Sequence, residues 1–104
     1  MRENYEQYSA VCRTIVNPVR QRIIRIIGRD TLNVSQIQRE LDISMSNLSN
    51  HLSALHGIGV LSRKKEGNFI YYYLTETEIL EVLEHMQRVI ASITAKRSHQ
   101  MTEI

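Results

Sequence analysis

The stretch "SMSNLSNHL", residues 44–52, decides how the chain is read. It holds three serines and two asparagines, which are mediocre helix formers because their side chains compete for nearby backbone groups. Yet Leu48, Leu52 and Leu55 fall at i, i+4 and i+7, the spacing of one helical face turned into a core. Ser44 sits where a hydroxyl accepts a hydrogen bond from a first-turn amide and starts the helix. The remaining face presents Met45, Ser46, Asn47, Ser49, Asn50 and Ser53, mostly short polar groups able to approach a base edge closely. Helix propensity is exchanged for hydrogen-bonding reach, and the first turn adds free amides and a positive dipole end suited to phosphate.

Upstream, "NVSQ" places Asn33 and Gln36 at capping-box spacing and predicts a helix of about two turns burying Val34, Ile37 and Leu41. The bend "LDIS" joins it to the serine-rich helix, so residues 33–56 read as a helix-turn-helix. Before it, "NPVRQRIIRIIG" opens with Asn17 as cap and Pro18 at the first helical position, buries Val19, Ile23, Ile26 and Ile27, and closes at Gly28. "YEQYSAVCRTIV" predicts a helix over 5–16 with Tyr5, Tyr8, Cys12 and Ile15 on its apolar face.

Downstream, "VLSRKK" and "FIYYYL", joined by "EGN" around Gly67, predict a hairpin over 60–74. Thr75 and Glu78 have capping-box spacing ahead of a last helix, 78–97. Its Ile79, Leu83, Met86, Ile90 and Ile93 recur at spacings of four and three, and Val82 and Val89 widen the stripe. So broad an apolar face exceeds what a small core covers, and part of it is expected to meet a second chain. The tail "KRSHQMTEI" reads as frayed. The expected fold is mainly α with a small β-hairpin wing, one winged helix-turn-helix domain over 1–104.

Composition agrees with one modest domain: 104 residues, 42% hydrophobic and 23% charged, are enough for a single core and too apolar for a disordered chain. No apolar run approaches the roughly 20 residues that span a bilayer, and "MRENYEQYSAVC" lacks the basic-then-apolar order of a secretory signal. A cytoplasmic protein without membrane contact is expected. The net charge of +2 says little, but its distribution says more. Residues 13–65 hold nine cations against three anions, whereas the flanks hold four cations against eight anions. Such segregation suggests that the middle of the chain faces a polyanion. Arg63, Lys64 and Lys65 on the hairpin are placed for phosphate or minor-groove contact.

The segments "NPVRQRIIRII" and "SMSNLSNHLSALHGIGVLSRKKEGNFIYYYL", together with the element order, resemble the ArsR/SmtB family of winged helix-turn-helix repressors over about residues 5–95. The resemblance implies a homodimer built from the first and last helices, with Tyr5, Tyr8, Cys12, Ile79, Leu83, Met86, Ile90 and Ile93 at its interface, on a near-palindromic operator in double-stranded DNA. Ser44, Ser46, Ser49 and His51 match the family's Ser-x-Ser-x-x-Ser-x-His run, and Gly67 marks the wing tip. Met45 stands where the family often has glutamine, which substitutes apolar contact with a thymine methyl for a polar one. Asn68 replaces a frequent basic residue at the wing tip, which weakens minor-groove attraction there.

The family's metal sites are not carried over. Its Cys-x-Cys pair falls on Asn33 and Ser35, neither a soft-metal ligand, and its last-helix ligands fall on Glu76, Glu78, Val89 and Ser92, where the two later positions have lost their donors. His85 and His99 read as surface histidines, His56 as the end of the recognition helix, and His51 as a DNA contact or local packing. No metal, no cofactor and no named effector are expected. Cys12 reads as a small hydrophobe on an apolar face or as a thiol whose oxidation alters the dimer. Catalysis has no footing: there is no Gly-rich phosphate loop, and Cys12 has no histidine at a nucleophile spacing. The expected function is a sequence-specific transcriptional regulator; the alternatives are a constitutive or chromatin-associated DNA binder and a winged-helix module for protein contacts.

Overall fold

In the computed structural model, which describes residues 4–102, caps start each of the first helices. Asn4 Oδ1 accepts from the Gln7 N–H at 3.0 Å and opens α1, Tyr5–Ile15. Asn17 Oδ1 accepts from the Val19 and Arg20 amides at 2.9 and 3.2 Å and opens α2, Pro18–Ile27, with proline at its first turn. Gly28 closes α2 at φ +54°, a backbone conformation that side-chain-bearing residues rarely adopt. A two-residue strand β1, Leu32–Asn33, leads directly into α3, Val34–Arg39. The capping box is complete here: Asn33 Oδ1 accepts from the Gln36 N–H at 2.9 Å, and Gln36 Oε1 from the Asn33 N–H at 2.8 Å.

Helix α4, Met45–Gly57, follows a tight bend, then β2, Leu61–Glu66, β3, Phe69–Leu74, and α5, Ile79–Thr102. The strands are antiparallel in the order β1-β3-β2, with Leu61 opposite Leu74, Arg63 opposite Tyr72 and Glu66 opposite Phe69. Gly67 and Asn68 form the two-residue hairpin loop, with Gly67 at φ +61°, as a loop with glycine at its first central position requires. β1 pairs Leu32 with Tyr72 and Asn33 with Tyr71, turning the expected hairpin into a three-stranded sheet and fastening the wing to the start of the helix-turn-helix.

The core is Ile23, Ile24 and Ile27 from α2, Ile37 from α3 with Leu41 after it, Leu48, Leu52 and Leu55 from α4, and Leu61, Tyr72 and Leu74 from the sheet. Ile24 is fully buried although it lies outside the expected stripe, and Val19 and Ile26 only lean on the core from its edge. α2 is central, touching α1, α3, α4 and β3, so more of its surface is covered than one stripe supplies.

Two expectations at the C-terminal end are corrected. Thr75 does not cap α5: its Oγ1 pairs with Ser62 Oγ at 2.7 Å across the hairpin base, and its N–H donates to the Val60 carbonyl. The helix begins through a turn in which the Ile79 and Leu80 amides reach the Glu76 and Thr77 carbonyls. The tail does not fray after residue 97; α5 runs through Thr102, with no glycine or proline to stop it, and Glu103 and Ile104 lie outside the described residues. At 1.5 Å per residue this helix is about 36 Å long. Only Ile79, Leu80 and Leu83 rest on the core, while every side chain from Glu84 to Met101 is exposed. The radius of gyration is accordingly 16.6 Å, against about 13 Å for a compact chain of this length.

Candidate nucleic-acid interface

The three core leucines of α4 fix its rotation, and that rotation decides what faces outward. Ser46, Asn47, Ser49, Asn50 and Ser53 are all exposed, and Met45 is 42% exposed on the flank. Ser44 is exposed but committed: its Oγ accepts from the Asn47 N–H at 3.1 Å as the helix cap and lies 3.4 Å from Ser46 Oγ. The first turn of α4 holds no acidic side chain to compete with an incoming phosphate. His56 falls in the last turn, where a cation suits the dipole.

His51 is placed differently from its neighbours. It is half-buried on the flank of α4, where its Nδ1 accepts from the Arg20 Nε–H at 3.1 Å. Burial, and then the charge of Arg20, push the imidazole below its ordinary value of 6.5. Arg20 was not singled out from sequence; its partner is 31 residues away and nothing local marks the pair.

On the wing, Arg63, Lys64 and Lys65 are all exposed. Arg63 and Lys65 stand opposite Tyr72 and Ile70 and so share the sheet face that carries the core, whereas Lys64 stands opposite Tyr71 on the other face. Lys64 also pairs with Glu66 at 3.2 Å, an exposed contact of little energetic weight. Asn68 is exposed at the tip.

The basic middle of the chain is not all available to a polyanion. Arg22 donates to the Glu40 carbonyl at 3.3 Å, Arg25 to Gln87, and Arg29 to Thr77 and Glu81. Arg25 of α2 and Arg29 just after it both reach α5 side chains; the charge count along the sequence cannot separate such paired cations from free ones. At the other end, Tyr5 and Tyr8 are 70% and 66% exposed, and the neighbouring half-buried Cys12 raises the Tyr8 phenol above its ordinary value. Along α5, Met86, Ile90 and Ile93 are exposed while Ile79 and Leu83 rest on the chain's own core. Glu81, Val82, His85, Met86 and Val89 line an open, largely apolar groove there. Among the described residues no group of three or more His, Cys, Asp or Glu could hold a metal, and no helix is long and apolar enough to cross a membrane.

A family model described as a helix-turn-helix domain matches residues 15–63. The chain is 27% identical over 89 residues to the transcriptional activator HlyU of Vibrio cholerae, covering 86% of this chain and 82% of that protein. A solved structure of HlyU superposes with a TM-score of 0.73, covering 86% and 97% of the two chains. The structure of Rv0081 from Mycobacterium tuberculosis superposes with a TM-score of 0.79 at 24% identity, over 93% of this chain and 98% of that one. The homodimeric winged helix-turn-helix domain of Mb0332 from Mycobacterium bovis, described as a possible ArsR-family regulator, does so at 0.73 and 19% identity, over 88% and 91%. The superpositions over most of the chain and the match across the helix-turn-helix lead to one conclusion: the chain has the winged helix-turn-helix fold and is similar to transcriptional regulators, ArsR-type ones among them.

Proposed function

We propose that the protein is a dimeric, sequence-specific DNA-binding regulator of repressor type, working in the cytoplasm on a near-palindromic operator. The observation that carries this reading is the rotation of α4: leucines in the core, amides and hydroxyls outward. On this reading Ser46, Asn47, Ser49, Asn50 and Ser53 meet base edges and Met45 a thymine methyl, while Ser44 shapes the first turn that receives a phosphate. His51 reaches the backbone from the flank, and Arg63, Lys64, Lys65 and Asn68 bring the wing to the adjoining groove. A second copy covers the open stripe of α5 with Tyr5, Tyr8 and Cys12 of α1 beside it, and the two α4 helices then enter successive major grooves about 34 Å apart. Mb0332 is described as a homodimer, which supports the arrangement. Cys12, half-buried one turn along α1 from Tyr8, fits a packing role there.

The test is selection of duplexes from a random pool by the full-length protein, followed by footprinting of the enriched sequence. The expected outcome is an inverted repeat with half-sites about 10 base pairs apart, centre to centre. Equal retention of all sequences would leave an unspecific binder, and retention of none would end the DNA reading.

A further inference from the structure

The Arg20 guanidinium joins three helices. Its Nε–H donates to His51 Nδ1 on α4 at 3.1 Å, and its Nη1 donates to the Thr14 carbonyl in the last turn of α1 at 3.2 Å. Asn17 Oδ1 holds the Arg20 backbone N–H at 3.2 Å, fixing where the side chain leaves α2. A guanidinium has only donors and keeps its charge, so an imidazole nitrogen that faces it must carry a lone pair. His51 Nδ1 is therefore the acceptor, the ring is neutral and its proton sits on Nε2. α1, α2 and β2 pack against α4, and among their charged side chains Arg20 is the one hydrogen-bonded to this imidazole; the others on those elements are Glu6 and Arg13 on α1, Arg22 and Arg25 on α2, and Arg63, Lys64, Lys65 and Glu66 on β2.

We propose that Arg20 is a positioning residue for DNA recognition: it locks His51 as the neutral Nε2–H tautomer and ties α1 to the recognition helix, so that His51 donates its N–H to a phosphate oxygen beside the groove. The phosphate rests on the DNA-binding reading above; the tautomer rests on the hydrogen bonds alone. Phosphate is the acceptor because His51 stands on the flank of α4, off the row formed by Ser46, Asn50 and Ser53, where side chains fix register rather than read sequence. Protonating the ring sets an N–H against the guanidinium and breaks the contact. The folded-state value lies below 6.5, so the arrangement is complete above that pH and is lost as pH falls through the folded value. The inter-helix tie is lost with it.

Nitrogen–proton NMR of the free full-length protein reads the tautomer directly. Wild type is expected to show the Nε2–H form at neutral pH and to titrate below 6.5; Arg20→Met is expected to give a tautomer mixture and a higher titration midpoint. An Nδ1–H ring in wild type, or an unchanged ring in Arg20→Met, would overturn the lock. With the selected duplex, Arg20→Lys and His51→Ala are each expected to weaken binding about tenfold, and the double variant no further than His51→Ala alone. A double variant weakened about a hundredfold would mean independent roles and overturn the proposal. A wild type that selects no duplex removes the phosphate role along with the DNA reading, and the tautomer spectra then decide the lock by themselves.

Discussion

Helix α4 and the first turns of α5 each rest one face on the core, and the apolar or polar surfaces that the two helices leave open differ in kind. α4 turns serine and asparagine outward, groups that water satisfies until something better displaces it. α5 turns out Val82, Met86, Val89, Ile90 and Ile93, which gain nothing from water and about 25 cal/mol for each Å² covered. The first surface suits a partner that comes and goes, the second a partner that stays. The dimeric regulator proposed above needs both: a permanent assembly that sets the spacing of two reading helices, and a reading surface that can let go.

Salt separates the two surfaces most sharply. If a dimer neutralises about 6 to 10 phosphates, duplex affinity falls by about 10³ to 10⁵ between roughly 50 and 200 mM salt, while dimer dissociation stays nearly constant. Fluorescence anisotropy and sedimentation on the same samples check both, and a parallel fall would erase the distinction. Leu52→Ala probes what the faces share, since each depends on the core: it should cost about 2–5 kcal/mol in a denaturant melt, with DNA affinity lost as the fold loosens. Ile90→Glu is aimed at α5 alone. Sedimentation should show a folded monomer, with dissociation raised on the order of a hundredfold or more, because a second copy cannot bury that carboxylate without cost. Asn50→Ala and Lys64→Ala then divide the reading surface itself. The first should cost about 1–3 kcal/mol on the preferred duplex and blur base preference; the second should weaken all sequences alike and lower the salt slope by about 1.

Local chemistry in the sequence carried most of the helix-turn-helix. Asn17 before Pro18, Asn33 with Gln36, and Ser44 ahead of the leucine row each act within three residues, and each forms the cap that its spacing implies. What escaped was non-local. β1 exists only because Leu32 and Asn33 lie against Tyr72 and Tyr71, and two residues carry no periodicity of their own. Thr75 has the spacing of a cap, but Ser62, on the neighbouring strand, claims its hydroxyl first. Arg25 and Arg29 look like free cations until the fold sets Gln87 and Glu81 beside them. Within the candidate interface, the outward polar face followed from leucine spacing alone, whereas the Arg20–His51 contact required the packing of α2 on α4.

The most direct measurement is an NMR map of the isotope-labelled protein titrated with its selected duplex. The side-chain amides of Asn47 and Asn50 and the backbone amides of the first turn of α4 are expected to shift most, the wing cations less, and the stripe from Val82 to Ile93 hardly at all. Large shifts along that stripe with the asparagine amides unmoved would contradict this expectation.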